Sequence, residues 1–300
     1  MKPSIAIVPI SILLLAGCAS TSSGTASPSS SGRIDVVAST NVWGDIASTI
    51  GGDDVSVTSF IDDPSKDPHE YEANGQNQLA ISKAAVVIEN GGGYDDFVDT
   101  MLKATSSSPI VVNAVDISGL AATSGNELNE HVWYDFPTVT KVIDKLEAAF
   151  TKVRPSEAST FSTNADKLTA GIAQLETKEA TLKASDQGVG VAITEPVPLY
   201  MLNAIGLDNK TPSDFSEAIE NDTDASVVVL EQTLNLYKDH QVKLLAYNEQ
   251  TTGAQTEAVL AAAKSAGIPV VPVTETLPAG KTYLTWMASN LDAIGSALGK

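Results

Sequence analysis

Two of the three histidines in this 300-residue chain stand in motifs suited to metal binding. His69 lies in Asp-Pro-His-Glu-Tyr-Glu and His131 lies in Asn-Glu-His-Val-Trp-Tyr-Asp, so each has acidic and aromatic neighbours. A neutral imidazole is a good transition-metal ligand, and a nearby carboxylate can orient its second nitrogen. Either histidine alone could be an ordinary surface residue, but both are expected in strand-to-helix loops, where functional residues concentrate. We therefore predict that His69 and His131 bind one divalent transition metal ion.

The other motifs in the sequence do not indicate a second ligand site or a catalytic site. His240 follows a predicted helix in Lys-Asp-His-Gln, where an exposed imidazole complements the helix C-terminal partial charge. The run Gly91-Gly92-Gly93 is not followed by Gly-Lys-Ser or Gly-Lys-Thr, so it predicts a strand-to-helix turn and not a phosphate loop. The sequence contains no His-Glu-x-x-His motif and no plausible nucleophile–base pair. We expect a binding protein without enzymatic activity.

The histidine loops need a scaffold of alternating strands and helices. Short β-branched runs predict strands over residues 34–39, 55–60, 85–88, 110–112, 189–194, 243–247 and 269–273. Apolar residues at helical spacing predict helices over residues 42–50, 76–83, 95–103, 199–205, 225–239, 254–266 and 283–298. This alternation is typical of βα units around mainly parallel sheets. We predict an α/β fold with two lobes.

The middle of the chain is predicted to be helical. One apolar stripe runs from Thr138 to Lys152, and a second with the same period runs from Pro155 to about Leu182. A helix of about 28 residues is about 40 Å long, which is enough to join two lobes as a rigid connector. The predicted organisation is a signal peptide (1–17), a tether (18–32), an N-terminal α/β lobe (33–136), a helical connector (137–185) and a C-terminal α/β lobe (186–300).

The N-terminal segment is typical of exported proteins. A basic start, an apolar run over residues 5–15 and the small residues before Cys18 predict a secretory signal peptide, too short to remain as a membrane span. Cys18 is the only cysteine, which excludes an intramolecular disulfide, and Leu-Ala-Gly-Cys resembles the bacterial lipobox. Acylation of that cysteine would anchor the protein stably on the outer face of the cell membrane. Residues 19–32 contain only Ser, Thr, Gly, Ala and Pro, so we expect a flexible tether.

The charge balance excludes one class of partner. The chain has 18 basic and 37 acidic residues, with a net charge of −19. Such a charge repels nucleic acid, so we expect no nucleic-acid partner. It also keeps an exported protein soluble, so acidity alone does not identify a metal-binding protein.

Four motifs together resemble those of the solute-binding lipoproteins of zinc and manganese ABC transporters. They are the two histidine motifs, Thr-Asn-Val-Trp-Gly-Asp after the first predicted strand and Asn-Gly-Gly-Gly-Tyr before a predicted helix. The resemblance extends over the chain from residue 33 onwards. It implies two α/β lobes joined by one long helix, with the ion bound between the lobes. It also implies a monomer that delivers Zn²⁺ or Mn²⁺ to the membrane permease of an ABC transporter.

The resemblance also implies four ligands. In that family the first lobe contributes two histidines, which match His69 and His131. The second lobe contributes a histidine or glutamate after its first strand, which falls on Glu195, and an acidic residue after a late strand, which falls on Glu275. Both glutamates follow predicted parallel strands, at the edge where open α/β sheets place their ligands.

The implied donor set leaves the cargo open between zinc and manganese. Two histidines and two carboxylates favour manganese more than three histidines and one carboxylate would, although zinc binds more tightly at most such sites. Zinc receptors usually have histidine where this chain has Glu195, and many have a long histidine-rich loop where residues 121–130 are short and contain no histidine. Glu249 and Asp214 are the alternatives if Glu195 or Glu275 is only an exposed loop carboxylate.

Two other functions are compatible with parts of the sequence. A metal-dependent hydrolase of the cell envelope would usually have three protein ligands and an open position for water, whereas four protein ligands would close the site. A surface adhesin would suit the tether, but the body of the chain has no repeats or extended β modules. For a metal receptor with ordinary imidazoles, we expect affinity to fall below about pH 6, because the ligands must be deprotonated.

Overall fold

The computed structural model describes residues 32–63, 71–122 and 128–300. The predicted signal peptide, Cys18, nearly all of the predicted tether and His69 lie outside these described residues. Among the described helices, none combines the length and the apolar character needed to cross a bilayer.

The first lobe is a parallel sheet covered by helices. Its strands in residues 32–63 and 71–122 are Ile34–Thr40 (β1), Val55–Ile61 (β2), Val86–Glu89 (β3) and Ile110–Asn113 (β4). Its helices in the same ranges are Asn41–Gly51 (α1), Gly75–Lys83 (α2), Asp96–Lys103 (α3) and Ala114–Ser118 (α4). The strand order is β2-β1-β3-β4, and every pairing is parallel. All four residues of β3 are buried, as expected for a strand covered on both faces.

Two consecutive helices connect the lobes. They are Phe136–Val153 (α5) and Ala158–Asp186 (α6), and short 3-10 turns over Val132–Tyr134 and Pro155–Glu157 precede them. The Asp135 carboxylate caps α5 by accepting a 3.0 Å hydrogen bond from the amide of Thr138. The 29 residues of α6 span about 43 Å. The predicted long connecting helix is therefore confirmed.

The second lobe repeats the parallel arrangement. Its strands are Gly190–Ile193 (β5), Asp208–Asn209 (β6), Leu245–Asn248 (β7) and Val270–Val273 (β8). Its helices are Leu199–Ile205 (α7), Ser213–Glu220 (α8), Val227–Lys238 (α9), Ala254–Ser265 (α10) and Tyr283–Ala297 (α11). The strand order is β6-β5-β7-β8, again with parallel pairings only. Neither β6 nor α8 is evident from the sequence, because β6 has only two residues and α8 has a short apolar stripe.

One apolar core continues through both lobes. It includes Trp43 of α1, Phe161 and Leu168 of α6, Leu202 of α7 and Trp286 of α11, all buried. The connecting helix α6 packs against α1 and α5 on the side of the first lobe, and against α7 and α11 on the side of the second. The predicted fold class of two α/β lobes joined by a long helix is confirmed, and the shared core restricts movement of one lobe against the other.

Candidate metal centre

His131 is a fully buried histidine at the boundary between the lobes. Its Nδ1 lies 2.8 Å from Oδ1 of Asn129, which also accepts a 3.2 Å hydrogen bond from the backbone amide of His131. The amide nitrogen of Asn129 donates to the carbonyl of Pro196 at 3.1 Å, which fixes its oxygen towards the imidazole. The neutral ring therefore carries its proton on Nδ1 and presents the Nε2 lone pair to the cavity. Nε2 has no hydrogen-bond partner among the described residues.

Aromatic rings enclose this imidazole. The centroid of His131 lies 5.1 Å from that of Trp133 and 6.1 Å from that of Tyr94, both in edge-on geometry. Tyr94 follows the Gly91–Gly93 turn, whose three residues have φ of 78°, 72° and 100°, a conformation that favours glycine. The predicted strand-to-helix turn is thus confirmed, and it places the Tyr94 ring where it excludes water from the imidazole.

Two carboxylates from the second lobe face Nε2 of His131. Oε1 of Glu220 lies 3.5 Å from it and Oε2 of Glu275 lies 3.9 Å from it. The Glu275 side chain is fully buried and is held from both lobes. The Tyr94 hydroxyl donates to Oε2 at 3.2 Å, and the amide of Asn248 donates to Oε1 at 2.8 Å. Glu275 is therefore a preorganised acceptor at the interlobe boundary.

Glu195 lies in the same buried region as Glu275. Each glutamate stands two residues beyond a parallel strand, Glu195 after β5 and Glu275 after β8, and β7 runs between these strands. Glu195 is 2% exposed, and its Oε2 has no hydrogen-bond partner among the described residues. Burial, followed by the charges of Glu275 and Glu220, raises the pKa of Glu195 to about 8. The structure therefore brings together His131, Glu195 and Glu275 of the four predicted ligands.

Glu220 and Glu130 form a cluster with His131 that the sequence did not predict. One ligand atom from each of Glu130, His131 and Glu220 lies within 4.8 Å of the other two. Glu220 is the last residue of α8, which was not predicted, and no local motif distinguished it. Glu130 directly precedes His131 in the Asn-Glu-His motif. The alternatives Glu249 and Asp214 are both exposed.

The cluster has a strongly negative potential. Burial alone lowers the pKa of His131, but the charges of Glu220 and Glu275 outweigh this effect and raise it to about 9. Carboxylates buried this deeply are costly unless a cation balances them. One buried imidazole nitrogen and several carboxylate oxygens at this spacing can bind a divalent transition metal ion.

A cleft between the lobes leads to this cluster. It is a cavity of about 670 Å³ whose walls include Gly93 and Glu130 from the first lobe and Tyr200, Glu217 and Glu220 from the second. An ion entering through the cleft would meet Glu130 and Glu220 before the more deeply buried His131.

Hydrogen bonds across the lobe boundary hold the loop that follows β8. The side chain of Asn41 donates to the carbonyl of Leu277 at 3.0 Å and accepts from its amide at 2.8 Å. The hydroxyl of Tyr134 donates to the carbonyl of Thr274 at 2.9 Å. Because Glu275 lies between Thr274 and Leu277, these contacts couple its position to the first lobe.

Sequence comparison identifies related proteins over nearly the whole described chain. The family model described as the zinc-uptake complex component A, periplasmic, matches residues 36–297. The manganese-binding lipoprotein MntA of Halalkalibacterium halodurans is 25% identical over 245 residues, covering 76% of this chain and 80% of the relative. The protein of the same name from Bacillus subtilis is 24% identical over 268 residues, covering 87% and 85% respectively.

Structure comparison gives the same fold. A manganese-bound mutant of the periplasmic metal-binding protein from Candidatus Liberibacter asiaticus aligns with a TM-score of 0.71 and 19% sequence identity. The alignment covers 88% of this chain and 98% of that structure.

Proposed function

This chain belongs to the family of the periplasmic component A of the zinc-uptake complex, and we propose that it is an extracytoplasmic solute-binding protein for a divalent transition metal ion. It captures one ion between its lobes and delivers it to the membrane permease of an ABC transporter. The relatives named as metal-binding lipoproteins support this proposal.

The observation that carries the proposal is the environment of His131. Its Nε2 is fully buried, and it faces carboxylates of Glu220 and Glu275 from the opposite lobe at 3.5 and 3.9 Å. An ion bound there would bridge the lobes and neutralise the buried carboxylates. We propose His69, His131, Glu195 and Glu275 as its ligands, of which His69 lies outside the described residues.

We propose Mn²⁺ or Zn²⁺ as the cargo. The carboxylate-rich donor set and the manganese-binding names of two relatives favour manganese. The family description refers to zinc, and zinc binds more tightly than manganese at most sites of mixed nitrogen and oxygen donors.

We also propose that the protein is a monomer anchored by acylated Cys18 on the outer face of the cell membrane after removal of residues 1–17. The lipobox-like motif and the naming of relatives as lipoproteins support this location. Residues 18–32 would then separate the lobes from the lipid surface.

A direct titration tests the proposal. Metal-free protein should bind one equivalent of Mn²⁺ or Zn²⁺ in isothermal titration calorimetry, and the bound ion should raise its melting temperature. His131→Ala should abolish tight binding, whereas His240→Gln, which changes an exposed histidine, should bind as the wild type does. Absence of tight binding and of thermal stabilisation with both ions would refute the proposed function.

A further inference from the structure

We infer that Glu220 is a ligand to the bound ion and that an incoming ion meets it before His131, Glu195 and Glu275. The inference rests on the proposed function, and it adds a carboxylate to the four ligands proposed above. Neither the family resemblance nor the strand-end positions of Glu195 and Glu275 point to this residue.

The spacing around His131 supports Glu220 as a ligand. Its Oε1 lies 3.5 Å from Nε2 of His131, too far for a good hydrogen bond. Donors that each lie about 2.1 Å from one ion are separated by about 3.0 Å at octahedral angles and about 3.4 Å at tetrahedral angles. The observed separation therefore fits two ligands of one ion better than a direct contact. Nε2 is also fully buried and has no hydrogen-bond partner among the described residues. Both features indicate an ion between Nε2 and the Glu220 carboxylate.

The position of Glu220 on its helix is unfavourable without a cation. It is the last residue of α8, where the partial negative charge of the helix terminus disfavours an acidic side chain. Its side chain is only 11% exposed, and its carboxylate faces Nε2 of His131, as that of Glu275 does. A bound divalent ion would balance all of these negative charges.

Glu220 differs from His131, Glu195 and Glu275 in its access to solvent. It lines the interlobe cleft of about 670 Å³, whereas Glu195 and Glu275 do not. His131, Glu195 and Glu275 are each at most 2% exposed. An ion entering from the cleft would exchange water for the Glu220 carboxylate first and would then reach the deeper donors.

An additional oxygen ligand should also affect metal selectivity. Zn²⁺ usually has four ligands in closed sites, whereas Mn²⁺ favours oxygen donors in six-coordinate geometry. Glu220 should therefore contribute more to the binding of Mn²⁺ than to that of Zn²⁺.

A pair of matched variants tests this inference. Glu220→Gln removes the proposed ligand, and Glu217→Gln removes the same charge from the same helix and the same cleft wall. Loss of residues that only support a ligand typically weakens metal binding by about 10-fold to 100-fold. We therefore expect Glu220→Gln to weaken Mn²⁺ binding by at least about tenfold and Zn²⁺ binding by less. Glu217→Gln should stay within about threefold of the wild type for both ions.

Affinities would be measured by competition with a chromophoric chelator, and association rates by stopped flow. Glu220→Gln should slow association more than Glu217→Gln does. Bound Co²⁺ adds a readout of coordination, because its visible absorption depends on the number of ligands. The spectrum should change in Glu220→Gln and stay as in the wild type in Glu217→Gln. If Glu220→Gln does not fold, Glu220→Asp can replace it. This variant keeps the negative charge but has a shorter side chain that moves the carboxylate away from the ion, so it should weaken Mn²⁺ binding.

The outcomes separate this inference from the proposed function. Equal affinities and equal Co²⁺ spectra for the two glutamine variants would overturn the inference, while tight binding by the wild type would preserve the proposed function. Equal losses of Mn²⁺ and Zn²⁺ affinity in Glu220→Gln, with a changed spectrum, would keep Glu220 as a ligand and overturn its role in selectivity. A wild-type protein that binds neither ion would refute the proposed function itself.

Discussion

Metal binding should weaken steeply as the pH falls from about 8 to about 6. Burial alone lowers the pKa of His131, but Glu220 and Glu275 outweigh it and raise this pKa to about 9. Burial, together with the charges of Glu275 and Glu220, raises the pKa of Glu195 to about 8. Without an ion at pH 7, His131 is therefore a positively charged imidazolium and Glu195 is a neutral carboxylic acid. The ion must displace these protons, so affinity rises with pH up to about 9.

The magnitude follows from the number of protons displaced. Each proton lowers the apparent affinity tenfold per pH unit, or about 1.4 kcal/mol, at pH values below the pKa of its group. At pH 7 the proton on His131 alone should weaken binding by about 100-fold, or about 2.7 kcal/mol. Between pH 8 and pH 6, one displaced proton would cost about 100-fold and two would cost up to about 10⁴-fold. His131 and Glu195 interact with the same carboxylates, so we expect a total between these limits.

Calorimetric titration in two buffers of different ionisation enthalpy counts the protons released per ion. At about pH 7.5 we expect one to two protons, and His240→Gln should release the same number because His240 is exposed. If the affinity stays constant between about pH 7 and pH 8 and ion binding releases no measurable proton, the raised pKa values of His131 and Glu195 are refuted. His131 would then titrate as an ordinary histidine.

Three substitutions test other parts of the structure. Asn129→Ala removes the acceptor for Nδ1–H of His131, and metal affinity should fall by about 10-fold to 100-fold in chelator competition without a large change in melting temperature. Asn41→Ala removes both hydrogen bonds to the Leu277 backbone, so ion dissociation measured by stopped flow should accelerate by roughly fivefold or more, and an unchanged rate would contradict the coupling. Burial raises the pKa of Glu179 from 4.5 to about 8, so the wild type loses stability progressively as the pH rises from about 4.5 to about 8. The gain in free energy of unfolding that Glu179→Gln gives in urea should therefore be larger at pH 9 than at pH 5 by at least about 2 kcal/mol, whereas equal gains at both pH values would contradict this cause.

Local sequence signals predicted most of the fold. Strands β1 to β4 are short β-branched runs bounded by turns, and their predicted bounds lie within one or two residues of the observed ones. The long helix α6 was predicted because its apolar residues keep one period from Phe161 to Leu175, over about four turns. Strand β6 was missed because an Asp-Asn pair has low β propensity, and it becomes a strand only by pairing with β5.

The site was less predictable because its geometry depends on contacts distant in sequence. The end of a parallel strand indicated Glu195 and Glu275, but Glu220 faces His131 only because α8 packs at the lobe boundary. The pH dependence of metal affinity differs from the expectation based on sequence for the same reason. An ordinary imidazole places the loss of affinity below about pH 6, whereas burial beside carboxylates raises the pKa of His131 to about 9.

The location of the bound ion tests the central claim most directly. Anomalous diffraction from crystals grown with Mn²⁺ should show one strong peak between the lobes. That peak should lie about 2.0–2.3 Å from Nε2 of His131 and from a carboxylate oxygen of Glu275. No peak at this position, or a peak bound only by surface carboxylates, would contradict a metal receptor that holds its cargo between the two lobes.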